Sequence, residues 1–220
     1  MDEAEWKSLL ATVDEIQEWF PEGVAYIGGI AVYAHATAKV ETATYAAKSH
    51  DADFMIMLPE FVDLRDIEVL TPNRQLGKQQ FVKNGFEFDV YVEGQNNLSV
   101  PTAEVLVSSE KKSGLRVACC EHLLILKAAA LLDRRGTSKG DKDEDDVVRI
   151  LLVADTIDED KLYRLTDVFL GEIERAVAGD AVLRLASGNK HLVKMLRTQA
   201  QDRLAEVQLA HKNNYGGCSP

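Results

Sequence analysis

A glycine pair and two alternating aspartates constrain this chain more than any other feature of its sequence. Gly28 and Gly29 follow the apolar run Val24–Ile27, and Asp51 and Asp53 open the next apolar run. Side chains at i and i+2 of a strand point to the same face, so the two carboxylates should project together. Adjacent carboxylates repel unless a cation lies between them, and a glycine pair at a helix start exposes backbone N–H groups that can bind a phosphate. The pattern therefore indicates a site for a metal ion and a nucleoside triphosphate.

The charge balance argues against one broad class of function. The 220 residues include 36 acidic side chains against 25 lysines and arginines, for a formal net charge of −11. A protein that coats nucleic acid non-specifically has the opposite balance. A local basic stretch, residues 184–212, holds six bases and two acids. Its simpler interpretation is a solvated helix face, and the alternative is an RNA-facing surface. The candidate residues for that surface are Lys190, Lys194, Arg197 and Arg203.

Neither hydropathy nor cysteine content points to a membrane or to an oxidising compartment. The sequence has no apolar stretch of about 18 residues, and its N-terminus is acidic, unlike a basic leader. We therefore expect a cytoplasmic protein with no membrane contact. The three cysteines, Cys119, Cys120 and Cys218, are poorly spaced for a zinc site and are expected to be buried or idle thiols.

The first half of the chain mixes helical and strand patterns. Apolar residues from Trp6 to Phe20 recur at helical spacing and predict an amphipathic helix. The elements predicted after it are a strand at 24–27, a helix at 29–38, a strand at 51–58, a short helix at 60–70, and β segments at 104–108 and 115–118 around a polar turn at 110–114. Such a mixture predicts an α+β unit over residues 1–118.

A third acid occurs in a predicted hairpin. Asn84-Gly85 separates two alternating runs, residues 80–83 and 86–92, and is the strongest short-range hairpin signal that a sequence offers. In the second run Asp89 lies on the polar face, between Glu87 and Tyr91. Asp89 is thus a candidate to join the carboxylates of Asp51 and Asp53.

Beyond residue 118 the pattern is helical. Leucines and alanines from Leu123 to Leu131 predict one helix, and Asp141 with Glu144 has the spacing of a capping box for the next. Further helices are predicted over residues 158–177 and 188–212. We therefore expect a C-terminal helical region at 119–212 and a flexible tail at 213–220.

The order of these features resembles that of the nucleotidyltransferase superfamily, which includes DNA polymerase beta. The features are a strand, the Gly-Gly helix start, the Asp-x-Asp strand and the later acid. In that family the first two carboxylates bind two Mg²⁺ ions, the third binds one of them, and the glycine motif holds the triphosphate. The resemblance therefore implies metal ligation by Asp51, Asp53 and Asp89. It also implies a mixed sheet flanked by helices, followed by a helical bundle that completes the active-site cleft.

The sequence is most similar to the toxin-type branch, the AbiEii-like nucleotidyltransferases. Members have a Ser or Thr two residues before the first aspartate, a Glu-x-Leu-x-x-x-Lys helix and a basic-Asp-x-x-Asp segment. The matching stretches are Ser49 to Asp53, Glu121 to Lys127 and Lys142 to Asp146. The resemblance implies a catalytic set of Asp51, Asp53, Asp89 and Lys127, and a nucleotide-binding set of Gly28, Gly29, Ser49, Lys127, Lys142, Asp143 and Asp146.

The activity so implied is transfer of a nucleoside monophosphate from an NTP to an acceptor hydroxyl, with two Mg²⁺ ions stabilising the attacking and leaving oxygens. The branch implies toxin-like action on an RNA 3′ end, such as that of a tRNA, or on a protein, together with a cognate antitoxin. Modification of an antibiotic would use the same chemistry. Weak phosphate-site features between Gly29 and Ser49 favour a third alternative, a non-catalytic member that binds a nucleotide or a partner, whereas the intact Asp51, Asp53 and Asp89 oppose it.

Each predicted site residue also has a purely structural interpretation. The paired aspartates could begin a strand at a solvated edge, and Asp89 could be an ordinary exposed acid. Lys127 could extend from the edge of the core. The acidic run at 141–146 could be a helix start favoured by the helix dipole.

Overall fold

The structure is a computed structural model, which describes residues 1–74 and 77–216. The described residues form two compact units that divide after Cys119. The first unit is α+β and the second is helical. The predicted fold class, a mixed β-sheet with flanking helices and a C-terminal helical region, is confirmed.

A mixed sheet forms the centre of the first unit. Its strands are β1 (Val24–Ile27), β2 (Asp51–Ile56), β3 (Thr71–Asn73), β4 (Lys78–Lys83), β5 (Phe86–Val92), β6 (Glu110–Lys112) and β7 (Leu115–Val117). Their order in the sheet is β3-β4-β5-β2-β1-β7-β6. Strand β2 pairs in parallel with β5 and antiparallel with β1, while β1 and β7 are parallel. The Asp-x-Asp strand is therefore interior, bordered by β5 and β1.

Helices complete this unit. They are α1 (Glu3–Trp19), α2 (Gly28–Thr37), α3 (Leu58–Ile67) and α4 (Thr102–Val107), with a 3₁₀ turn at Ala43–Tyr45. A capping box between Asp2 and Glu5 begins α1, which buries Trp6 and Leu9. The buried Tyr26 hydroxyl of β1 donates a hydrogen bond to the carbonyl oxygen of Val13 at 2.7 Å. This bond links the first helix to the sheet.

The second unit is made of helices. These are α5 (Cys120–Arg134), α6 (Ser138–Val153), α7 (Asp167–Ala178), α8 (Ala181–Leu185) and α9 (Lys190–Gly216), with a 3₁₀ turn at Glu159–Leu162. Leucines and alanines of α5 and the apolar end of α6 supply buried side chains. Within the described residues, no helix combines the length and the apolar character needed to cross a membrane.

Two predictions for the first unit are wrong. The segment 104–108 was predicted as β, but residues 104–107 belong to helix α4 and Ser108 is its C-cap. Thr102, Val105 and Leu106 are buried at helical spacing after Pro101. Residues 110–114, predicted as a turn, supply strand β6 and a tight turn whose Ser113 and Gly114 have φ of 48° and 89°. Positive φ at both positions is typical of a two-residue hairpin turn, which the sequence Ser-Gly signals only weakly.

Several boundaries in the second unit also differ from the predictions. Thr137, not Asp141, caps α6, because its hydroxyl oxygen accepts the N–H of Gly140 at 3.1 Å. The helix predicted at 158–177 is instead a 3₁₀ turn followed by α7, which Thr166 caps. The last helix begins at Lys190 and continues to Gly216, so residues 213–216 of the predicted tail are helical. Residues 217–220, including Cys218, lie outside the described residues, and Cys119 and Cys120 are buried.

Candidate active site

The three predicted carboxylates lie on one face of the sheet. In the parallel β2–β5 ladder Asp53 is the register partner of Asp89, and Asp51 is the partner of Glu87. Ala52 and Phe54, between and beyond the two aspartates, are fully buried on the opposite face. Register partners in a parallel pair point to the same side. The strands thus bring Asp51, Asp53 and Asp89 to one carboxylate face.

Gly28 packs directly against one of these carboxylates. Its φ is +63°, and a Cβ built at this position would lie 2.3 Å from Oδ2 of Asp53. Any side chain would therefore overlap the carboxylate as well as strain the backbone. Ile27, the β1 partner of Asp53, is also the N-cap residue of α2, so the helix begins without a connecting loop. The N-terminus of α2, an anion-binding position, consequently lies beside Asp53.

Ser49 orients the other aspartate. It is almost fully buried, and its hydroxyl donates a hydrogen bond to Oδ1 of Asp51 at 2.7 Å. An ionised carboxylate only accepts hydrogen bonds, so the serine proton points to Asp51. A phosphate oxygen is also an acceptor. In this geometry Ser49 orients Asp51, and its predicted role in nucleotide binding stays a prediction.

Asp89 has two partners that were not predicted. The Lys78 ammonium forms an ion pair with Oδ2, and Nε2 of Gln80 donates a hydrogen bond to Oδ1 at 2.8 Å. Gln80 is the register partner of Asp89 in the antiparallel β4–β5 pair. The hairpin alternation was a usable signal, because it puts Lys78 and Gln80 on the same face as Asp89.

The three carboxylates differ in how they suit Mg²⁺, which prefers oxygen ligands. Asp51 and Asp53 supply oxygen donors from adjacent positions of one strand face, a set that suits Mg²⁺. Asp89 differs, because both of its oxygens accept hydrogen bonds from Lys78 and Gln80. In the described part of the chain no three acid, histidine or cysteine side chains converge as a metal site. A metal ion at Asp89 would therefore have to displace one of these two partners.

A second cluster, in the helical unit, centres on Lys127. Its Nζ lies 2.8 Å from Oδ1 of Asp143 and 2.7 Å from Oδ2 of Asp146, and the three side chains are buried. Arg134 and Arg149 approach the other oxygens of the two aspartates at 3.1 and 2.9 Å. The structure thus brings together three of the predicted nucleotide-binding residues. Lys142, on the same helix as the two aspartates, is exposed.

Burial and charge act in opposite directions on Lys127. Burial alone would lower the pKa of the Lys127 ammonium, but the charges of Asp146 and Asp143 outweigh it and raise the pKa above its ordinary value. Lys127 is therefore charged at physiological pH. Arg134 and Arg149 were not predicted to join this cluster, although Arg149 follows Asp146 at a spacing that allows an ion pair within one helix.

The candidate RNA-facing surface is only partly exposed. Lys190 and Lys194 are exposed, whereas Arg197 donates a hydrogen bond to the carbonyl oxygen of Gly179 and Arg203 pairs with Glu206. Two of the four basic residues thus have structural partners within their own unit.

No family model matches the chain, and no curated protein sequence matches it. In structure it is similar to an antigenic nucleotidyltransferase-like protein from Paracoccidioides brasiliensis (14% identity, TM-score 0.47, 90% of this chain and 94% of that one). It is also similar to the antibiotic-resistance factor ANT(2'')-Ia (12% identity, TM-score 0.46, 97% of this chain and 100% of that one). A third similar structure is an H. pylori protein provisionally assigned as a nucleotidyltransferase (16% identity, TM-score 0.49, 100% of both chains). These TM-scores are below 0.5, and the residues of the site therefore carry the functional assignment.

The contact between Gly28 and Asp53 leads to a first prediction. Gly28→Ala should lower the free energy of unfolding by more than Gly94→Ala does. Gly94 has a similar φ of +68°, but an added Cβ there meets nothing within 4 Å. Gly94→Ala should therefore cost only the backbone strain, about 1–2 kcal/mol. Urea denaturation followed by circular dichroism measures both, and equal losses would contradict the close contact.

A second prediction concerns the buried ion cluster. Lys127→Met should destabilise the protein by about 3–5 kcal/mol, because it leaves two buried carboxylates without their shared cation. Lys142→Met, which changes an exposed lysine on α6, is the control and should stay within about 0.5 kcal/mol of wild type. The same denaturation measurement applies, and a loss below about 1 kcal/mol for Lys127→Met would show that the cluster is not stabilising.

Proposed function

We propose that the chain is a Mg²⁺-dependent nucleotidyltransferase, which moves a nucleoside monophosphate from an NTP to an acceptor hydroxyl. The observation that supports it most is the position of Asp53 between the glycine that begins α2 and the register partner Asp89. In this arrangement acidic side chains of the kind that bind metal ions lie beside a helix N-terminus, which is the kind of position that binds phosphate. Those are the two requirements for handling a metal-bound triphosphate.

The reaction forms one bond and breaks another at the α-phosphorus. The acceptor oxygen attacks in line, the bond to the β-phosphate breaks, pyrophosphate leaves and the hydroxyl proton is lost to solvent. Asp51 and Asp53 would hold Mg²⁺, which supplies charge neutralisation at the phosphates. Ser49 keeps Asp51 oriented, and the first N–H groups of α2 bind a phosphate oxygen. Asp53, packed against Gly28, would hold the metal beside the start of that helix.

The remaining parts of the resemblance stay predictions. They include the catalytic role of Lys127 and the nucleotide-binding roles of Lys142, Asp143 and Asp146. For the acceptor we propose an RNA 3′ end or a protein, as in the toxin-type branch, with an antitoxin as a partner. An antibiotic acceptor and a non-catalytic, nucleotide-binding role are the alternatives.

Transfer of label tests the proposal. The protein is incubated with Mg²⁺ and each α-³²P-labelled NTP in turn, in separate reactions with tRNA, total RNA, cell extract or aminoglycosides. We expect label on one acceptor class, and about a 10²–10³-fold lower rate for the Asp51→Asn, Asp53→Asn double variant. The chemistry requires this loss because the metal would have no carboxylate ligands from β2.

Glu87→Gln is the matched control, since Glu87 is an exposed carboxylate on the same sheet face and the register partner of Asp51. It should keep the wild-type rate within about twofold. Transfer that survives in the double aspartate variant would disprove the proposed site. Nucleotide binding with no labelled acceptor would instead support the non-catalytic alternative.

A further inference from the structure

The ion pair between Lys78 and Asp89 gives the carboxylate face a cation of its own. The exposed fractions of the two side chains are only 11% and 16%, so the pair is largely shielded from water. Gln80 fixes the second oxygen of Asp89 and in turn accepts a hydrogen bond from Asn73 at 3.3 Å. Asp89 is therefore held by β4 and, through Gln80, by β3. Its charge is compensated within the first unit.

A divalent ion at Asp89 would have to compete with this ammonium. Both are attracted by the same carboxylate, and they repel each other at the short distances that ligation requires. The repulsion is less screened than at the open surface, because both side chains are largely shielded from water. The geometry thus makes Asp89 the partner of a lysine, at a place where a divalent ion would be repelled.

Lys78 is positioned to act on a bound nucleotide. Its side chain reaches Asp89, the register neighbour of Asp53 in the sheet, so the ammonium is on the carboxylate face. An ammonium has three N–H donors, and among the described residues one of them is used, by Asp89. The other donors are of the kind that binds phosphate oxygens.

We propose that Asp89 is a positioning residue for Lys78 and not a metal ligand, and that the Lys78 ammonium binds a phosphate oxygen of the nucleotide. The site would then use a metal at Asp51 and Asp53 and a lysine where the resemblance implies a second metal position. This inference rests on the proposed function, because it concerns the same nucleotide. Its chemistry is charge pairing alone, with no additional bond made or broken.

Binding of Mn²⁺ alone tests the first half of the proposal. Free Mn²⁺ is measured by electron paramagnetic resonance during titration of the full chain. Asp53→Asn should weaken binding at least about tenfold. The double variant Lys78→Gln, Asp89→Asn removes the ion pair as a neutral unit and should bind Mn²⁺ within about threefold of wild type. A loss in the double variant as large as in Asp53→Asn would make Asp89 a ligand and overturn the proposal.

Binding of inorganic tripolyphosphate in EDTA tests the second half, since this probe carries neither base nor metal. By isothermal titration calorimetry, Lys78→Gln should weaken binding about tenfold, and Lys78→Arg should retain it within about threefold. Lys83→Gln is the control, because Lys83 is on the opposite face of β4, paired with Glu68 and Glu15. Wild-type affinity in Lys78→Gln would overturn the proposal.

The outcomes also separate this inference from the proposed function. If Asp53→Asn binds Mn²⁺ like wild type and the wild-type chain binds no tripolyphosphate, the proposed function itself fails. If Asp53→Asn loses Mn²⁺ while the double variant loses it equally, only the role of Lys78 and Asp89 fails. Circular dichroism of each variant establishes that it is folded before its binding is compared.

Discussion

The close packing of Gly28 against the Asp53 carboxylate is the contact on which the candidate site depends. It is possible only because Gly28 has a positive φ and no side chain, so the chain can pass from β1 into α2 with no intervening residue. The same contact puts a helix N-terminus beside an acid that β5 already flanks with Asp89. Sheet register and helix start thus meet at one carboxylate, and a displaced Asp53 would alter both the proposed metal-binding pair and the proposed phosphate-binding helix end.

In each unit, basic side chains neutralise acids that lie close together. On the sheet, the register that aligns Asp53 with Asp89 also creates a repulsion, and Lys78 from β4 offsets it at Asp89. In the helical unit Asp143 and Asp146 are buried one turn apart, and Lys127, Arg134 and Arg149 surround them. Buried carboxylates need such partners, because an unpaired charge away from water is costly. In both clusters acidic side chains hold a lysine in place.

Patterns of period two and period 3.6 were sufficient to predict the strands and helices that carry the site. The alternation around Asp51, Asp53 and Asp89 predicted a shared face, because side-chain direction in a strand depends on local backbone geometry alone. Local patterns could not predict which strands are neighbours in the sheet. That β2 lies beside β5 in parallel register depends on contacts between segments distant in sequence. The contact of Lys78 with Asp89, by contrast, lies within the predicted hairpin. Residues 104–108 show a second limit of local patterns. A short apolar run with Val and Leu is compatible with either a strand or a helix, and the structure has residues 104–107 in helix α4.

Ser49 acts on the candidate site through Asp51. Its hydroxyl is almost fully buried and donates a hydrogen bond to the aspartate at 2.7 Å, while the phosphate contact predicted from its position stays a prediction. A serine that holds a carboxylate contributes to the site through orientation, because a fixed Asp51 loses less freedom when it binds a cation. Gln80 does the same for Asp89 from the neighbouring strand. Ser49 and Gln80 thus restrict two of the three carboxylates, Asp51 and Asp89, to one arrangement.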